Sequence, residues 1–161
     1  MVRRVYFSFH YKNDIHRVAR IRNSGVIKEE AQPFIDKAEW EKLKQTGDNN
    51  IQKWIDDQMD GTSVLILCIG LETYTRRWVK HEIKKAYREN RGILGIYMNG
   101  MKDLQQNSIG RGRNPLDDFH ITENNQKKYL SSIFKTYSWN DDDGYNNIEN
   151  WIANAASAVG R

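Results

Sequence analysis

In the stretch RRWVKHEIKKAY, residues 76–87, one carboxylate falls on the wrong side of an otherwise regular helix. At about 100° per residue, Trp78, Val79, Ile83, Ala86 and Tyr87 share an apolar face, and Lys80, His81, Lys84, Lys85 and Arg88 share a basic one. Glu82 lies roughly 40° round from Trp78, inside the apolar stripe. Two readings follow for such a residue. One is a glutamate paired with a neighbouring Arg or Lys at the margin of the core, since ion-pair networks imitate functional sites. The other is a carboxylate kept in poorly hydrated surroundings, where its charge acts more strongly on a bound group. The basic face itself is expected to be solvated surface.

Other reactive residue types form no recognisable constellation. His10, His16, His81 and His120 stand at no metal-ligand spacing, and a single cysteine, Cys68, supplies neither a disulfide nor a thiolate cluster. Ser8 followed by His10 is not a catalytic triad arrangement, because neighbours on a strand project in different directions. There is no GxGxxG after the first strand, no GxxxxGK[ST], no Ser/Thr/Gly phosphate cradle of the flavodoxin kind, and no aspartate ending the third strand as a phosphoacceptor.

These residues sit in a pattern of alternating strands and helices. RVYFSF (4–9) is apolar on both parities, as a strand covered on both faces would be. Helical spacing follows through Ile15, Val18, Ala19 and Ile21, stopped by Asn23-Ser24-Gly25. PFID (33–36) reads as a short strand, residues 48–59 as a helix, and TSVLILCIG (62–70) as the central strand, with Cys68 as a buried thiol. The helix bearing Glu82 is expected over about residues 75–90, with Thr75 as its N-cap and Asn90-Arg91-Gly92 as its stop. GILGIYMNG (92–100) and SIFKTYSW (132–139) read as further strands, and 147–159 as a closing amphipathic helix. Trp40 and Trp54 fall on helical spacings and are expected in the core. Residues 101–130 have no clear period, the mark of a long functional loop or insertion. The expectation is one α/β domain over residues 1–161, a flavodoxin-like three-layer sandwich around a mostly parallel five-stranded sheet. Ligands of such sheets bind beyond the carboxyl ends of the strands, which directs attention to the segments after 9, 36, 70 and 99.

The bulk properties narrow the class. The 161 residues suit one core, and 39% hydrophobic with 29% charged residues is a globular balance. No apolar run reaches membrane-spanning length, and MVRRVYFSFHYK enters a strand pattern without a signal-peptide core, so a cytoplasmic protein is expected. The net charge of +4, from 25 basic and 21 acidic residues, would help attract a phosphate-bearing ligand but is too dispersed to argue for nucleic acid.

Taken in register, RVYFSFHYKND and then TSVLILCIGLETYTRRWVKHEI resemble the TIR-like domain of the ThsB type, from bacterial Thoeris antiphage defence. The likeness rests on Phe7-Ser8-Phe9-His10 at the end of strand 1, and on a strand followed by Gly70, Thr73, Arg77, Trp78 and Glu82. GRGRNP (110–115) and DDGYNNIENWI are also similar to this subfamily. The resemblance implies an enzyme that cleaves the nicotinamide–ribose bond of NAD+ and makes an ADP-ribose-derived signal, commonly cyclic, that activates a separate effector protein. It places the essential carboxylate on Glu82, and substrate contacts on Phe7, Ser8, Phe9, His10, Asp36, Arg77 and Trp78. It implies NAD+ as substrate rather than as a resident cofactor, no metal, an infection-derived trigger and self-assembly. The chemistry suits one carboxylate: nicotinamide leaves as a neutral group, and the ribose becomes oxocarbenium-like, the charge type that glycosidases also stabilise with a carboxylate.

Residue by residue, the bland readings stay open at this level. Phe7, Ser8 and Phe9 serve equally as strand packing, His10 as a loop histidine, Arg77 as a solvated helix-terminal charge and Trp78 as core. A non-catalytic TIR-like or flavodoxin-like sensing module is the alternative for the whole chain. A domain acting on another ribosyl compound is a third reading.

Overall fold

The computed structural model describes residues 3–24, 30–31, 34 and 37–161. In chain order its first half forms β1 (Arg4–Ser8), α1 (Tyr11–Arg22), β2 (Glu30–Ala31), α2 (Lys37–Lys44), α3 (Asp48–Met59) and β3 (Val64–Ile69). There follow α4 (Arg77–Arg88), β4 (Gly92–Tyr97), β5 (His120–Glu123), β6 (Gln126–Tyr129), the single turn α5 (Leu130–Ile133), β7 (Thr136–Ser138) and α6 (Gly144–Ser157).

Five strands make one sheet in the order β2-β1-β3-β4-β7, every pairing parallel. This is the flavodoxin-like order, whose switch point lies between the first and third sheet strands of the chain. All six residues of β3 are buried, which explains its unbroken apolar run: parallel strands are covered on both faces. On one face Val5 and Phe7 of β1 pack with Val18 and Ile21 of α1 and Ile148 and Ile152 of α6. On the other, Tyr6 packs with Ile51 and Ile55 of α3 and Val79 and Ile83 of α4. Each such aliphatic side chain contributes roughly 1.5–3 kcal/mol on burial. The period of two in β1 thus assigns Val5 and Phe7 to one layer, Tyr6 and Ser8 to the other.

Several local expectations change. The strand on the β1 edge is Glu30–Ala31; of the expected 33–36 strand only Phe34 lies within the described residues, and Asp36 lies outside them. The N-cap of α4 is Arg76, with no side-chain cap, because Thr75 belongs to a preceding 3-10 turn over Thr73–Thr75, where its hydroxyl donates to the Glu72 carbonyl. Asn90 adopts a left-handed φ of 57° just past α4, as a helix stop should. The expected strand 132–139 shortens to Thr136–Ser138, because Leu130–Ile133 turns helically to bury Leu130. Residues 101–130 are partly regular: Pro115–Asp118 is a 3-10 turn, and β5 and β6 form an antiparallel hairpin through Asn124-Asn125. The segment is anchored by Gly112, where a Cβ would stand 1.9 Å from the Gly70 carbonyl, so glycine alone permits this backbone contact beyond β3.

Candidate active site at the strand switch point

The switch between β1 and β3 opens a cleft of about 530 Å³. Its walls come from the end of β1 and the first turn of α1, from α2 and α3, and from the start of α4. Glu82 lies at its base, buried to 5% exposure on the inner face of α4 with Val79, Ile83 and Ala86. The misplaced residue of the helical pattern is therefore inward-facing in fact.

Its partners come from β1. The Tyr6 hydroxyl donates to one carboxylate oxygen of Glu82, and the Ser8 hydroxyl donates to the other at 2.7 Å. Strand periodicity explains the pair, since residues two apart project to the same face. Among the described residues, no Arg, Lys or His forms an ion pair with Glu82. The carboxylate is thus held by two neutral hydroxyls without a counter-cation. Burial raises its pKa to about 7, against the pull of the Tyr6 and Ser8 hydrogen bonds, with a further push from the Asp56 carboxylate. Burial first and then the Glu82 carboxylate raise the Tyr6 phenol well above its usual value, so Tyr6 remains a donor.

Aromatic rings line much of the remaining wall. Phe34, Phe9, Tyr11, Trp40 and Trp54 run in sequence with centroid separations of 5.4, 6.0, 5.8 and 6.3 Å. Trp40 and Trp54, expected in the core, pack half-buried against its edge and also line the cleft. Trp78 stands at the second position of α4, edge-on to His81 with centroids 5.9 Å apart. On the basic face of α4, Lys80, Lys84 and Arg88 are exposed as expected, while His81 bonds Asp56 at 2.8 Å and Lys85, its side chain only 12% exposed, pairs with Glu89 at 2.7 Å.

The remaining expected contact residues distribute unevenly. Phe7 is chiefly core, edge-to-face on Phe34 at 5.8 Å, although it also reaches the cleft. Phe9 and His10 both line it. His10 is buried, and among the described residues its Nδ1 has no hydrogen-bond partner. Burial first and then Arg76 lower its pKa, keeping it neutral near neutrality; Glu72 acts weakly the other way. Arg77 sits on the rim, exposed, 2.7 Å from Asp48 and stacked 4.6 Å over the Trp78 ring, so its charge is already answered. Asp36 lies outside the described residues.

Residue patterning pointed to Glu82 but not to the hydroxyls that grip it. Tyr6 could have been found from its parity with Ser8. Arg76, Lys12 and Lys44 also line the cleft, and they give it a cationic rim around an aromatic wall and an acidic floor. That combination suits a ligand bearing phosphates, a planar ring and a positively charged centre. The described residues contain no group of three or more His, Cys, Asp or Glu able to hold a metal ion. No helix among them is long and apolar enough to cross a membrane.

Comparison with known proteins points in one direction. The sequence model described as "Thoeris protein ThsB, TIR-like domain" matches residues 6–103, the span from the floor tyrosine through α4 to the segment after β4. A Bacillus cereus (strain MSX-D12) protein named "Putative cyclic ADP-D-ribose synthase ThsB1" is 32% identical over 191 aligned positions, which cover 94% of this chain and 100% of that relative.

Proposed function

Because the chain belongs to the family of TIR-like domains of the Thoeris protein ThsB, we propose that it cleaves NAD+ and makes an ADP-ribose-derived signalling nucleotide. The observation that supports this reading most directly is the carboxylate of Glu82, buried at the floor of an aromatic cleft with two hydroxyl partners and, among the described residues, no counter-cation. An isolated buried charge is costly, and structural carboxylates are ordinarily paired. A substrate that carries or develops positive charge above Glu82 would complete the pairing.

In this mechanism the bond between ribose C1′ and the nicotinamide nitrogen breaks, and its electron pair leaves with nicotinamide as a neutral molecule. The ribose acquires oxocarbenium character, which the ionised Glu82 stabilises. Tyr6 and Ser8 are positioning residues that fix both carboxylate oxygens, so little reorganisation accompanies bond breaking. Phe9, Trp78, Trp40 and Trp54 supply faces for the nicotinamide and adenine rings, His10 a neutral hydrogen-bonding group, and Arg76 with Lys12 or Lys44 a cationic margin for the pyrophosphate. Capture of C1′ by a hydroxyl of the same molecule gives a cyclic product; capture by water gives linear ADP-ribose. The cyclic outcome agrees with the name given to the relative. The product would diffuse to a separate effector protein, with activity raised by an infection-derived trigger and by self-assembly.

Mass spectrometry of nucleotides from cells expressing the protein, triggered and untriggered, tests this. The expected result is nicotinamide release with an ADP-ribose-derived product, both abolished in Glu82→Gln while the fold persists. No such product under either condition, with Glu82→Gln still protective against infection, refutes it.

A further inference from the structure

A second cavity, of about 400 Å³, lies between the end of α1, the segment after β4 and the segment after β7. None of its lining residues lines the Glu82 cleft. It holds two cations, Arg20 and Lys102, the rings of Trp139 and Tyr145, and the amides of Gln106 and Asn140. Among the described residues no acidic side chain lines it and neither cation forms an ion pair. Three acids close by in sequence are turned to other work, while Asp141 is exposed. Asp142 accepts the Ser138 N–H at 2.7 Å, and Asp143 accepts from the Asn146 amide at 2.8 Å. Asp103 accepts the N–H groups of Gln105 and Asn107 at 2.9 and 2.8 Å.

Two of these walls are fixed in place. The segment carrying Lys102 and Gln106 is held down by buried Arg17, which donates to the Met101 carbonyl at 3.1 Å and the Asn107 carbonyl at 3.3 Å. Gln106 keeps a left-handed φ of 66°, a conformation that side chains other than glycine and asparagine seldom adopt. Trp139 lies directly on Gly144, where a Cβ would stand 2.1 Å from the indole; glycine at the start of α6 is what lets the ring occupy this wall. Two cations without an ion pair among the described residues, beside a held indole, an exposed phenol ring and side-chain amides, suit one ligand chemistry: a phosphate joined to a flat heterocycle.

We infer that this cavity is a second ligand site, taking a nucleoside monophosphate with its phosphate on Arg20 and Lys102 and its base on the Trp139–Tyr145 wall. The volume falls within the usual range for small-molecule sites. The inference does not depend on the chemistry assigned to Glu82.

AMP titrated into the full chain and followed by amide NMR tests it. Saturable shifts are expected at Gly100, Lys102, Asn140 and Tyr145. The double variant Arg20→Glu/Lys102→Glu should weaken binding by about tenfold or more, as loss of two charge-assisted contacts requires. Adenosine and inorganic phosphate should each bind at least about tenfold more weakly than AMP, since each lacks half of the recognised chemistry. Both mutated side chains are exposed, and the milder Arg20→Gln/Lys102→Gln pair, checked by thermal melting, separates lost binding from lost folding. Additional shifts around Trp78 that persist in the double variant are compatible with the inference. Shifts found only around Glu82 and Trp78, an affinity unchanged in both double variants, or phosphate binding as tightly as AMP would each overturn it.

Discussion

Replacing Glu82 by glutamine should make this protein more stable, and only at the higher end of the pH range. Burial lifts the Glu82 pKa from the ordinary 4.5 to about 7. Between those values the folded state binds more protons than the unfolded state, so stability falls as pH rises through the window. At about 1.4 kcal/mol per pH unit, the wild type gives up roughly 3 kcal/mol by the time Glu82 is fully ionised. Glutamine never ionises, and its amide can still bond the Tyr6 and Ser8 hydroxyls. Thermal unfolding of both proteins from about pH 4.5 to about pH 8.5 reads the difference. For a chain of this length roughly 3 kcal/mol corresponds to a Tm rise of about 6–12 °C at the alkaline end, shrinking to near zero at the acid end. Asp14 is also raised by burial, to about 6, but it is common to both proteins and cancels in the comparison. A difference that does not change with pH, or a glutamine variant less stable at about pH 8.5, would refute the view that Glu82 is an uncompensated charge.

Three further outcomes test neighbouring parts of the argument. Nicotinamide release should rise with pH through about 7, because the ionised carboxylate is the active form; Tyr6→Phe, which removes a hydrogen bond favouring that form, should move the rising limb to higher pH and restore much of the lost rate in alkaline buffer. Trp54→Ala should raise KM for NAD+ by about tenfold with a smaller effect on kcat, in keeping with the loss of one stacking face. Gly112→Ala should cost about 1–3 kcal/mol in urea unfolding, since neither backbone can yield. Gly110→Ala, with its nearest atom 3.9 Å away, should stay within about 0.5 kcal/mol.

The sheet was legible because its inner strands are apolar on both parities, and α4 because its stripe is sharp enough to expose one intruder. What could not be read there was what Glu82 touches: an ion pair and a hydroxyl clamp leave the same mark on a helical wheel, and only the register of β1 against α4 separates them. The hairpin β5–β6 escaped for another reason. Its turn, Asn124-Asn125, has φ of 54° and 61°, values that fit a tight two-residue turn. Its strands, however, are mostly exposed and polar on both sides, so no alternation announces them. Trp40 and Trp54 reach the core as expected, but their second role as cleft wall was not legible, because amphipathic spacing gives the inward direction of a helix without saying where core ends and cavity begins.

The burial of Glu82 also makes the cleft a proton-linked device. With a pKa of about 7, roughly half the molecules at neutral pH carry a proton on this carboxylate. Any cation that settles against Glu82 favours the ionised form, so its arrival must expel that proton into solvent. Calorimetric heats of binding would then change with the ionisation enthalpy of the buffer. Occupancy would be read in protons, at about half a proton per molecule bound near neutrality.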